Sequence, residues 1–188
     1  RVFDNLVDGY DDATYGSQES LRAVHSWYHD QVAGLRSRGS IRFPEVLDHL
    51  TLRWWLGAQF ERHVEEDSAW PSFQRLVLTG APEIELALSP AWKITVANQC
   101  DIEIPFDFAG ARPSPRAVVG PLFSMAWRPL DALAVSASAA RRSRFATLKE
   151  RFSTGVETRL TNPDLAPESA WHFGLEGRWQ VLPQWQIE

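Results

Sequence analysis

Apolar positions recur at helical spacing in the first third of the chain and at every second position for much of the remainder. From Ser17, a residue type that caps helices, Leu21, Val24, Tyr28, Val32 and Leu35 fall three or four apart. Glu19 suits the positive first turn, and Arg36, Arg38 and Gly39 close the segment. Pro44, favoured at a first helical position, opens a second predicted helix to about Val64. From Leu50 to Phe60 that helix is apolar in nearly every direction and so should be covered on several sides. The short connection between the two predicts an antiparallel helical hairpin. A further short helix is expected within residues 70–79.

After Gly80 the period changes to two. Ile84, Leu86 and Leu88, then Trp92, Ile94 and Val96, then Ile102, Ile104, Phe106 and Phe108 alternate cleanly, with turns at Ser89-Pro90-Ala91 and Asn98-Gln99. This predicts an antiparallel β meander with one face buried. Gly110, Arg112-Pro113-Ser114-Pro115 and Gly120 mark residues 109–120 as an exposed connector. Pro129 opens a long helix to about residue 152, with the stripe Leu130, Leu133, Ala137, Phe145, Leu148 and Phe152. Trp171, Phe173 and Leu175, a turn at Gly177, then Trp179, Val181, Trp185 and Ile187 predict a C-terminal β hairpin. Residues 1–16, acidic and turn-like, read as a surface lead-in. The expected fold is therefore a single α+β domain over 1–188: a helical hairpin packed with a meander, a long helix near 129–152 and a terminal hairpin.

Composition adds class and compartment. Hydrophobic content of 44% and charged content of 23% are ordinary for a globular domain, whereas nine Trp and ten Phe give a heavy aromatic load. A net charge of -5 disfavours binding to nucleic acid or to an anionic membrane surface. No apolar run approaches the roughly 18 to 20 residues of a helical span, so no membrane is expected. The single cysteine, Cys100, rules out an internal disulfide framework and suits a reducing compartment, hence a cytoplasmic location.

Candidate chemistry is sparse. His25, His29 and His49, with Glu45 one turn from His49, could form a zinc or iron site if the helical hairpin brings them together; His63 is too far along its helix to join. The competing reading makes His25 a hydrogen-bonded core residue. The outward face of the meander carries Glu83, Glu85, Asp101, Glu103 and Asp107 with Lys93 alone for relief. It can be solvated, bind a divalent cation or a basic partner, or be covered by a helix bearing Arg141, Arg142, Arg144, Lys149 and Arg151. Cys100 lacks a neighbouring His in sequence, and no nucleophile elbow, phosphate loop or cysteine-pair metal motif occurs. Enzyme activity is left open. The Trp load without catalytic grammar favours a noncatalytic binding domain, with no cofactor, that takes a protein partner or small apolar ligand through Trp54, Trp55, Trp92, Arg141, Arg142 and Arg144. The alternative is a metal-dependent enzyme centred on the histidines.

Overall fold

The computed structural model describes residues 2–8, 25–43, 49–65, 72–107, 114–152, 162–182 and 185–187. Nine strands run in chain order: β1 (Val2–Asp8), β2 (His25–Arg42), β3 (Leu50–Glu65), β4 (Phe73–Ser89), β5 (Trp92–Asp107), β6 (Arg116–Leu130), β7 (Leu133–Arg144), β8 (Glu168–Leu182) and β9 (Trp185–Ile187). The one helix among the described residues is α1 (Leu148–Phe152). All nine strands form one sheet in which each pairs antiparallel with its neighbour in sequence, in the order β1 to β9.

The expected α+β class is therefore overturned, and the meander is the rule for all the described strands. Residues 25–42 of the first expected helix are β2, and the second expected helix is β3 from Leu50 onward. The short helix expected at 70–79 is the start of β4, and the long helix near 129–152 is β7 followed by five residues of α1. The expected surface lead-in contains β1, and the 109–120 connector gives way to β6 at Arg116. Gly177, expected as a hairpin turn, lies inside β8 opposite Val135, and the hairpin to β9 closes between Leu182 and Trp185. Asn98-Gln99 lies inside β5. Residues 17–24 and 44–48, the expected starts of both helices, lie outside the described residues.

The local cause is alternation. Leu50, Leu52, Trp54, Leu56, Ala58 and Phe60 occupy one side of β3, while Thr51, Arg53, Trp55, Gly57, Gln59 and Glu61 occupy the other. Trp55 on the second side makes the segment resemble a helix that is apolar all round. In β7, Val135, Ala137 and Ala139 alternate with Ala134, Ser136 and Ser138, a contrast too weak to oppose the helix propensity of alanine. Pairing on both edges, to β6 and β8, decides it.

The strands are long: β2 has 18 residues and β4 has 17. At one end of the sheet the connections are residues 43–49, 90–91, 131–132 and 183–184; at the other they are 9–24, 66–72, 108–115 and 145–167. The first end thus carries connections of two to seven residues, mostly short turns, and the second carries connections of seven to 23. At the short-turn end each turn is tied to the following hairpin, since His49 O accepts from Ala87 N, Ala91 O from Arg128 N and Ala132 O from Gln180 N.

The hairpin ends are staggered in one direction. Thr51, in the last pair of the β2–β3 hairpin, lies level with Glu85 and Thr95, short of the Ser89–Trp92 pair that ends the next hairpin. Trp127, level with Trp92, stops short of the Leu130–Leu133 end in turn, and Trp179, level with Leu133, stops short of Leu182–Trp185. The drift is roughly 1.5 residues per strand, which at about 3.3 Å per residue and 4.8 Å between strands is a tilt of about 45°. That is the tilt of strands in a closed barrel.

Candidate functional site

Residues that pair across a ladder share a face and sequence neighbours alternate, so the register divides the side chains of the sheet into two sets. One set is apolar. It holds Leu35 and Ile41 of β2, Leu56 and Phe60 of β3, Leu78 and Ile84 of β4, and Val96, Ile102 and Phe106 of β5. It continues through Val119, Phe123, Met125 and Trp127 of β6, Val135 and Ala137 of β7, and Trp171, Phe173, Leu175 and Trp179 of β8.

Nothing among the described residues covers this face. Leu35 is 77% exposed, Phe173 and Leu175 78% each, and in β6 the apolar Val119, Phe123, Met125 and Trp127 are more exposed than the Gly120, Leu122, Ser124 and Ala126 between them. Covering a leucine or phenylalanine is worth about 1.5–3 kcal/mol, so leaving a whole face in water would forgo many times that. Aromatic rings gather toward both ends. Trp92 stacks on Trp127 with centroids 5.5 Å apart, and Trp54 and Trp179 also lie toward the short turns. Phe60 and Phe106, 6.4 Å apart, and Trp171, 6.2 Å from Phe173, lie toward the long connections.

The opposite face is polar and partly filled. Arg53 donates to Glu83 (2.7 Å) and Glu85 (2.8 Å), and Lys93 sits 3.3 Å from Glu85. Thr79 (2.5 Å) and Gln99 (2.7 Å) donate to Asp101. The relief missing from the meander's acidic run is therefore supplied by neighbouring strands, and by α1. Arg75 bridges Glu61 and Glu103, and Arg151 of α1 reaches the same Glu103 oxygen at 2.8 Å. Arg75, Glu103 and Arg151 are all buried. Burial pushes the Arg151 guanidinium below its usual range, an effect that the Glu103 carboxylate opposes. Arg151 further donates to Pro163 O, and Arg75 to Ala146 O, so the 145–167 connection is stitched to β4 and β5.

The apolar part of this contact is small. Phe73 stacks on Phe152 at 3.9 Å and, with Leu148, forms the buried hydrophobic cluster among the described residues. Buried His63 sits beside it, its Nδ1 2.5 Å from Asp30. Helix α1 opens with a reciprocal cap: Thr147 N donates to Glu150, and Glu150 N to Thr147 Oγ1. Two hydrogen bonds from Arg144 and the one from Thr147 N hold the Glu150 carboxyl down to about 2. The core thus lies on the polar face.

The expected site residues are dispersed. Trp54 and Trp92 lie on the apolar face, two strands apart; Trp55 lies on the polar face with the Arg36 guanidinium 5.8 Å from its ring. Arg141 falls on the apolar face beside Trp171, donating to Ser169 Oγ (3.2 Å), while Arg142 and Arg144 fall on the polar face. These arginines belong to a strand, and Arg144 pairs with Glu150 and Glu168. Of the expected basic group, it is Arg151 that reaches the acidic run.

The histidines do not converge. His25 and His29 lie at the long-connection end of β2, opposite Asp8 and Val64, whereas His49 lies in the turn at the other end, roughly 50 Å from His29 at 3.3 Å per residue and farther from His25. Glu45 lies outside the described residues, and no group of three metal-ligating side chains occurs among those described. Cys100 is a free thiol in mid-strand, opposite Gly80 and Val119. Sequence reasoning set Arg151 against the acidic run that holds Glu103, but it passed over Arg75 and the continuous apolar face. The signal for the face was the alternation in β3, β6 and β8, whose apolar and charged positions rarely exchange sides. No helix among the described residues is long and apolar enough to cross a membrane. Comparison with family models, with curated proteins and with solved structures finds no match for this chain.

Proposed function

We propose that this chain forms the wall of a membrane-inserted β-barrel, with its apolar face against lipid tails and its polar face turned to the interior. The observation that carries the reading is the placement of the core. The helix, the buried ion pairs and the buried apolar cluster among the described residues lie on the charged face, while the apolar face stays open from β2 to β8. In water the opposite arrangement is favoured, because burial of apolar area drives folding. In lipid an apolar exterior is the stable one.

Four further features support it. Strands that alternate, a tilt near 45° and aromatic residues toward both rims are the pattern of transmembrane barrels, as are mostly short turns at one end and longer connections at the other. The lack of a spanning helix among the described residues bears on helical spans alone, and strands cross by a different rule. The reading also requires the outer edges of β1 and β9, which are not paired with each other in the described sheet, to be hydrogen-bonded in the membrane. It keeps the noncatalytic role expected from the sequence but replaces the small apolar ligand with bilayer hydrocarbon, and the cytoplasm with a membrane.

The test is quenching of Trp fluorescence in phosphatidylcholine vesicles whose acyl chains carry bromine. The intact protein should lose much of its emission, through Trp54, Trp92, Trp127, Trp171 and Trp179. If the emission is untouched and a soluble protein or apolar ligand shields these rings instead, the face is a docking surface and the barrel reading falls.

A further inference from the structure

Charge is divided between the two faces among the described side chains. Among the strand residues whose side chains are described, the carboxylates Asp30, Glu61, Glu83, Glu85, Asp101, Glu103, Glu168 and Glu176 all fall on the polar face. Among those same side chains the apolar face carries two formal charges, Arg62 and Arg141, both cationic, while β1 brings Asp4 and Asp8 into register with that face. Both lie toward the long connections: Arg62 follows Phe60 by one step on the same face, and Arg141 is paired with Trp171. The short-turn end of the apolar face has aromatic and aliphatic side chains and no charge among those described.

Neither arginine is neutralised by a described residue of the sheet. Arg62 and Arg141 make no ion pair among the described residues, and Arg62 Nε is buried without a hydrogen-bond partner there. Arg141 spends one terminal nitrogen on the neutral Ser169 hydroxyl. An unpaired guanidinium in hydrocarbon is costly, so its stem should lie along the apolar surface and its head should reach the polar boundary. A planar donor fork at that depth matches a lipid phosphate, and it gains most where no choline ammonium beside that phosphate cancels its charge.

Resting on the barrel reading, we infer that Arg62 and Arg141 form a cationic rim on the lipid-facing surface that binds the phosphate of anionic lipid headgroups, in the leaflet on the side of the long connections. The partner is lipid in this one leaflet. The opposite rim, aromatic and uncharged, has no such preference.

The experiment presents the intact protein in mild detergent with phosphatidylglycerol or phosphatidylcholine and counts retained lipid by native mass spectrometry. Phosphatidylglycerol should be retained several-fold over phosphatidylcholine. The preference should fall to near parity in the double variant Arg62→Gln with Arg141→Gln, weaken in high salt, and largely survive in the double lysine variant, which also guards against misfolding. Equal retention of both lipids by the unaltered protein, or a preference unchanged in the glutamine variant, would overturn the inference and leave the barrel reading standing. Capture of an acidic soluble protein by the same arginines, with no lipid preference, would overturn it too. Failure of the brominated-lipid test separately removes the barrel reading on which it rests.

Discussion

The apolar and polar faces of this sheet are made from the same strands, a residue apart, yet they are held by different means. On the polar face, stability is local and chemical. Two arginines, two glutamates, a stacked pair of phenylalanines and a capped turn of helix make one dense contact around Glu103. On the apolar face there is no dense contact; the rings and aliphatic chains spread from β2 to β8 and depend on what surrounds them. A change at a point should therefore hurt the polar face where the point is, and should hurt the apolar face according to depth and charge.

The largest effect that separates the two is expected at Glu103. Replacing it with alanine removes the carboxylate that Arg75 and Arg151 share in a buried site, and loss of one partner from such a group costs about 3–5 kcal/mol. Urea unfolding followed by Trp fluorescence should show a matching drop in midpoint, and an unchanged midpoint would mean that α1 does not hold the polar face. Next is a neighbouring pair in β5. Val96→Arg, near the middle of the apolar face, should cost about 2–4 kcal/mol in a bilayer, while Thr95→Arg on the polar face should cost under about 1 kcal/mol. Equal costs in folding titrations into lipid would erase the distinction between the faces.

A smaller effect is expected at Gly39, where an added Cβ would lie 2.2 Å from the ring of Trp54. Gly39→Ala should destabilise by about 1–3 kcal/mol through overpacking, and pairing it with Trp54→Leu should recover most of the loss. The smallest is a pH effect at Glu150. Its carboxyl is held at about 2, below its value in an unfolded chain, so its contribution is complete above about pH 4.5 and fades as pH falls toward 2. Because the side chain is partly exposed, the size should be no more than a few tenths of a kcal/mol, absent in Glu150→Gln.

The central meander is plain in the sequence, because β4 and β5 alternate strongly on both faces, from Ile84 opposite Val96 to Glu83 opposite Ala97. The rest is concealed for two reasons. Long strands contain enough residues for chance helical spacing, and in β2 the apolar Val32 on the polar side and Leu35 on the other fall three apart and suggest a turn of helix. In addition, the usual inference that apolar means interior placed the meander's apolar side in a core, where the structure leaves it open. The acidic run was legible, and its full neutralisation was not, since Arg53, Arg75 and Arg151 come from three separate segments that only pairing and the return of the 145–167 connection bring together.

That return has a consequence for the order in which the chain acquires its structure. Every strand contact is with a sequence neighbour, so hairpins can add one after another, each giving the next a finished edge to extend. The bonds from Arg151 to Glu103 and from Arg75 to Ala146 O join segments far apart in the chain and cannot form until β5, β7 and the segment beyond it are in place. They act as a late latch. Weakening them should leave the rate of hairpin growth nearly untouched and make the finished sheet come apart faster.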